Sequence, residues 1–87
     1  MAKKIKIYTL SYCPYCKRAK ELLTRKGISF EEIDVTADPD ARAKIEEETG
    51  WDTLPIVLIG NELIGGSEEL LQLDASGELD KKLLENS

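Results

Sequence analysis

The chain has 87 residues, enough for one small domain and too few for two, so residues 1–87 are read as a single unit. Seventeen acidic against 12 basic residues leave a net charge of −5, which argues against a nucleic-acid partner. Histidine is absent, which removes Cys–His nucleophiles and every His-containing metal site.

In chain order, the cluster Lys3, Lys4 and Lys6 reads as a solvated terminus with strand-edge charges. The run KIKIYTL alternates, with Ile5, Ile7 and Thr9 on one face, and predicts a first strand ending near Leu10. A strand-like run in this position, in place of an apolar segment after the basic start, argues against a secretory leader, and a cytoplasmic location is expected. PYCKRAKELLTRKG has helical spacing, with Cys16, Ala19, Leu22 and Leu23 on one face. Pro14 suits the first helical position and Gly27 the stop. ISFEEIDV predicts a second strand. Its apolar set, Ile28, Phe30, Ile33 and Val35, slips by one between Phe30 and Ile33, which reads as a bulge or an irregular edge there.

Asp38 is placed to cap a second helix that begins at Pro39 and closes at Gly50. PIVLIG is a continuous apolar run that predicts a strand buried on both faces, and from Leu54 to Ile59 it is far too short to cross a bilayer. Gly60–Asn61 marks a turn into a short partner strand, Glu62 to Ile64. Ser67 is placed to cap a last helix, Gly77 interrupts it, and Glu78 to Leu84 forms a short terminal piece. The tail from Leu84 to Ser87 is expected to lie outside the packed fold. The order β-α-β-α-β-β-α predicts an α/β architecture, a mixed sheet with helices on both faces.

The only two cysteines, Cys13 and Cys16, stand at the junction of the first strand and first helix. Cys13 falls at the N-cap position and Cys16 at the third helical residue, on the core-facing stripe. A helix N-terminus presents unpaired N–H groups and a positive dipole end, which stabilise a thiolate at Cys13. Cys16 is expected to be less exposed and less reactive. That asymmetry suits dithiol exchange, in which Cys13 attacks a disulfide and Cys16 resolves the mixed disulfide. Lys17 and Arg18 add positive potential nearby. Structural zinc needs four ligands, and one chain offers two. A close Cys pair beside a βαβ pattern reads as thioredoxin-like.

CPYC after the first strand, TLP before the buried strand and GG before the last helix resemble the glutaredoxin family over essentially the whole chain. The resemblance implies a thioredoxin-like fold with a four-stranded sheet, and a glutathione-linked thiol–disulfide oxidoreductase of the small bacterial dithiol type. It implies Cys13 as nucleophile, Cys16 as resolving cysteine and Tyr15 as the aromatic residue flanking glutathione. It further implies that Thr53, Leu54 and Pro55 form a loop with a cis proline whose backbone pairs with the cysteinyl part of glutathione. From the residues alone, Pro55 reads equally as a trans proline opening an edge strand. Gly66, Ser67 and Glu68 match the element that receives the γ-glutamyl group, and they read equally as an ordinary capped helix start.

The chain departs from the family pattern in three places. Leu10 stands where many members carry Lys, Trp51 and Asp52 stand where a polar donor is common, and Glu68–Glu69 replaces Asp-Asp. These departures weaken the clamp on the carboxylates of glutathione. The expected partners are glutathione, as co-substrate, and disulfide-containing or glutathionylated proteins, served by a monomer without a metal. Two alternatives remain open. One is a redoxin of the same fold recharged by a thioredoxin-reductase-type partner, serving ribonucleotide reductase or a peroxidase. The other is an iron–sulfur cluster carrier, against which Pro14 argues.

Overall fold

A computed structural model describes residues 4–84, so the expectations for Lys3 and for the tail beyond Leu84 lie outside the described residues. Four strands and four helices follow in the order β1 (Ile5–Thr9), α1 (Pro14–Arg25), β2 (Phe30–Asp34), α2 (Pro39–Thr49), β3 (Ile56–Ile59), β4 (Glu62–Gly65), α3 (Ser67–Ser76) and α4 (Glu78–Leu84). The sheet order is β2-β1-β3-β4. β1 pairs parallel with β2 through the α1 crossover, and antiparallel with β3, which pairs antiparallel with β4. The element order predicted the mixed sheet with helices on both faces, and the fold is thioredoxin-like, as the resemblance implied.

The core lies on both faces of the sheet. On one face, Ile5, Ile7, Val57 and Ile59 meet Ala19, Leu22 and Leu23 of α1, Leu70 of α3 and Leu79 of α4. On the other, Ile56 and Val35 pack with Ile45 of α2, and Cys16 and Leu54 join them. Burial on both faces is why β3 reads as an uninterrupted apolar run. The stripe predicted for α1 is its buried face: Cys16, Ala19, Leu22 and Leu23.

The bulge expected in β2 is absent. β1 and β2 keep a continuous register from Ile5 opposite Phe30 to Thr9 opposite Asp34. The apolar pattern slips because Phe30 packs on the α1 side and Ile33 on the α2 side, so one strand serves two cores without inserting a residue. An irregularity occurs instead between β3 and β4, at Val57/Leu58.

Helix ends follow local chemistry. An Asp38 oxygen accepts from the Ala41 N–H at 3.1 Å, Pro39 is the first residue of α2, and Gly50 ends it in the left-handed region. At α3 the expected cap is corrected. Gly66, not Ser67, is the N-cap, and Ser67 is buried as the first helical residue. Glu69 Oε1 reaches back to accept from the Gly66 N–H at 3.0 Å, half of a capping box. The Glu69 carboxylate thus holds the N–H of the N-cap residue, and Ser67 lies one position past the cap that was expected of it.

Candidate active site

β1 ends at Thr9, and the chain turns through Ser11 and Tyr12 into α1. Leu10 anchors this turn with its backbone: its carbonyl accepts from the Cys13 N–H at 3.2 Å, and its N–H donates to Sγ of Cys16 at 3.4 Å. Cys13 is the N-cap of α1, in extended conformation (φ −93°, ψ 116°), and its Sγ accepts from the Cys16 N–H at 3.4 Å. A sulfur in this position accepts from an orphan donor of the first helical turn.

The two cysteines are free thiols in unequal surroundings. Cys13 is half-buried, and Cys16 is 1% exposed. Burial, first, and the neighbouring Cys13 sulfur push the Cys16 thiol up to about 12, against the Leu10 N–H and the Lys20 charge, which favour its thiolate. Cys16 is therefore a protonated thiol at neutral pH.

Cys13 also faces the loop before β3. Its Sγ lies 3.6 Å from the carbonyl oxygen of Leu54, and the Leu54–Pro55 peptide is cis. A sequence contact across 41 positions thus joins the two motifs. Beside it opens a cavity of about 340 Å³. It brings together every predicted binding residue: Tyr15, Thr53, Leu54, Pro55, Gly66, Ser67 and Glu68. Tyr15 is 57% exposed at its rim, and the Arg18 guanidinium lies 5.7 Å from the ring centroid.

Two further residues line the cavity, Trp51 and Glu69. Trp51 is half-buried, and its indole N–H is buried without an acceptor among the described residues. The Gly65–Gly66 pair gives these side chains their room. A Cβ built on Gly65 would stand 2.9 Å from Cγ of Glu69 and 3.2 Å from Cη2 of Trp51. At Gly66 it would stand 3.3 Å from Glu69 Oε1. A Gly-x-x-Glu spacing was the available signal for Glu69. For Trp51 the signal was the chain's sole Trp two positions before Thr53.

Among the described residues, no lysine or arginine lines this cavity. An anionic ligand there would meet the N–H groups of Ser67 and Glu68, which have no intrahelical acceptor, beside the carboxylates of Glu68 and Glu69. No group of three or more Cys, Asp or Glu suited to a metal ion occurs among the described residues.

The glutaredoxin family profile matches residues 5–64. The chain belongs to the glutaredoxin family. It is 44% identical to a glutaredoxin of Pseudomonas aeruginosa over 77 residues, covering 88% of this chain and 92% of the relative. It is 42% identical to glutaredoxin 3 of Escherichia coli over 79 residues, covering 91% and 95%. The crystal structure of a buckwheat glutaredoxin–glutathione complex superposes with a TM-score of 0.85 at 30% identity, covering 93% of this chain and 76% of that one. As a glutaredoxin, the protein is a thiol–disulfide oxidoreductase.

Proposed function

We propose that this glutaredoxin is a glutathione-linked dithiol enzyme that reduces protein disulfides and glutathione mixed disulfides. The observation that carries the reading is the unequal pair: Cys13 at the open helix start against the Leu54 carbonyl, Cys16 buried one turn inside as a thiol. Cys13 thiolate attacks one sulfur of a protein disulfide. That S–S bond breaks, the leaving thiolate takes a proton, and Cys13 is joined to the substrate. Cys16 then gives up its proton and attacks Cys13 Sγ, releasing the second substrate thiol and leaving the Cys13–Cys16 disulfide. Two glutathione thiols restore the dithiol and leave as glutathione disulfide. On a glutathionylated protein, Cys13 attacks the glutathione sulfur, and a second glutathione resolves the intermediate without Cys16.

The cavity beside Cys13 supports glutathione as the co-substrate. Leu54 offers its backbone to the cysteinyl part, in the manner of a short added strand. The start of α3 offers N–H groups to the γ-glutamyl carboxylate, with Glu68 near its ammonium and Tyr15 along its flank. The buckwheat complex supports the same assignment by likeness. Among the described residues no helix is long and apolar enough to cross a membrane. A cytoplasmic monomer is our reading from the likeness to small bacterial glutaredoxins.

Cysteine variants test the scheme. Cys13→Ser is expected to abolish all turnover. Cys16→Ser is expected to retain deglutathionylation and lose protein-disulfide reduction. Full retention of both activities in Cys16→Ser would remove the resolving role.

The cation-free cavity favours a second reading, in which a thioredoxin-reductase-type protein recharges the disulfide. Turnover with glutathione and glutathione reductase, compared with turnover on thioredoxin reductase, separates the two. Absence of turnover with glutathione would leave the second.

A further inference from the structure

A groove larger than the cavity beside Cys13 lies elsewhere on the molecule. It is an open trough of about 650 Å³ along the outer face of α1, lined by Lys17, Arg18, Lys20 and Arg25, with Glu21 and with Leu71 from α3. Four cations against one carboxylate make it basic on a chain of net charge −5. Lys20 is bound to Glu32 at 2.9 Å. Lys17, Arg18 and Arg25 have no ion-pair partner among the described residues. Leu71, 38% exposed, supplies an apolar wall.

The trough begins at the reactive end of the helix. Lys17 follows Cys16 directly, and Arg18 lies over the ring of Tyr15 in the CPYC turn. From Tyr15 to Arg25 is ten residues of helix, about 15 Å. An extended chain covers that distance in four to five residues at about 3.3 Å each. A polypeptide whose cysteine is engaged by Cys13 is therefore long enough, within about five residues of its sulfur, to reach Lys17, Arg18 and Arg25 if it follows α1.

We propose that the α1 trough is a docking surface for acidic segments of protein substrates, with Asp or Glu within about five residues of the target cysteine. Exposed charges pair with Lys17, Arg18 and Arg25, and an aliphatic side chain of the segment lies on Leu71. A protein segment fits better than nucleic acid, because the trough holds Glu21 and a hydrophobic wall on a chain of net charge −5. The assignment rests on the reading of Cys13 as the attacking thiol. It adds a substrate preference that small mixed disulfides do not reveal.

The test uses the full chain and two peptides that differ only around one glutathionylated cysteine, flanked by Asp in one and by Asn in the other. At low salt the wild type is expected to favour the Asp peptide about tenfold in kcat/KM, and salt near roughly 0.5 M to erase the preference. Arg25→Glu and Arg18→Gln are each expected to bring the ratio toward one. Comparing the two peptides within each variant cancels any change in thiol reactivity. Arg25→Glu is also expected to leave turnover of glutathionylated free cysteine unchanged, since Arg25 lies at the far end of the helix. A wild-type ratio near one, with normal turnover of the small substrate, would overturn the docking surface and leave the oxidoreductase reading standing. A ratio unchanged in both variants would do the same. Failure to reduce any mixed disulfide would remove both. Competition by oligothymidylate as strong as by the Asp peptide would overturn the assignment to a protein partner.

Discussion

The backbone N–H of Leu10 donates to Sγ of Cys16 at 3.4 Å, while its carbonyl accepts from the N–H of Cys13 at 3.2 Å. Both cysteines are thus tied to the end of β1 by main-chain groups that any residue but proline supplies. The departure from the family at position 10 alters a side chain and leaves this anchoring intact.

Cys16 links that site to stability at alkaline pH. Its thiol is raised to about 12 by burial, whereas the unfolded chain releases the same proton near pH 8.5–9. Below that range both states hold the proton, and the group favours neither. Between that range and 12 the unfolded state binds fewer protons, so stability falls as pH rises, by up to about 1.4 kcal/mol per unit. Urea unfolding of the reduced protein at pH 7.5, 9 and 10, compared with Cys16→Ala, separates the contribution of this thiol from those of Tyr8 and the lysines. The wild type's margin over Cys16→Ala is expected to shrink as pH rises. A margin independent of pH would contradict a thiol held neutral by burial.

Gly65 bears on the cavity wall. It has φ +122°, and a Cβ there would meet Glu69 at 2.9 Å and Trp51 at 3.2 Å. Gly65→Ala is expected to cost about 2–4 kcal/mol, from an unfavourable backbone region and overpacking together. Gly50→Ala is the control, with φ +71° and open space around it, and an expected cost of about 1–2 kcal/mol. Equal losses in denaturant unfolding would show that the crowding at Gly65 carries no energy.

What the sequence disclosed follows from the range of the interactions involved. Pro14, Asp38, Pro39 and Gly50 act on their own turns, so local chemistry announced both helices they bound. The unequal fates of Cys13 and Cys16 followed from helix periodicity alone. The cis peptide before Pro55 was implied only by likeness to relatives, because its partner across the site, Cys13, is 41 positions away. The smooth register of β2 was hidden for a related reason: which face of a strand is covered depends on helices elsewhere in the chain. Capping by Glu69 was misread because Ser67 offered a plausible cap one residue from the true start.

Glu69 combines a structural and an electrostatic role, and one substitution separates them. Its carboxylate accepts from the Gly66 N–H and places negative charge in a cavity read as holding the carboxylates of glutathione. Glu69→Gln retains an acceptor for the cap, so stability is expected to stay within about 0.5 kcal/mol of wild type. With the charge gone, KM for glutathione is expected to fall about two- to fivefold at unchanged kcat. Glu69→Ala is expected to lose about 1 kcal/mol of stability through the missing cap. An unchanged KM in Glu69→Gln would place the anionic groups of glutathione away from α3.

Thr9 carries the last expectation. It is fully buried at the end of β1, and its hydroxyl donates to Glu32 Oε2 at 2.8 Å, the same oxygen that Lys20 contacts at 2.9 Å. The Lys20 ammonium first, then the Thr9 hydroxyl, hold the Glu32 carboxyl below its usual range. Thr9→Val keeps the shape and removes the donor, with an expected loss of about 1–2 kcal/mol at neutral pH. A depressed carboxyl stabilises the fold above its unfolded pKa, about 4.3, and loses that contribution as pH falls through the lower folded value. The gap between wild type and Thr9→Val is therefore expected to be full at pH 7 and to narrow below about pH 4. Urea unfolding at pH 7, 5 and 3.5 measures it. A gap that stayed constant into acid would mean that the buried hydroxyl acts through packing and not through the Glu32 carboxylate.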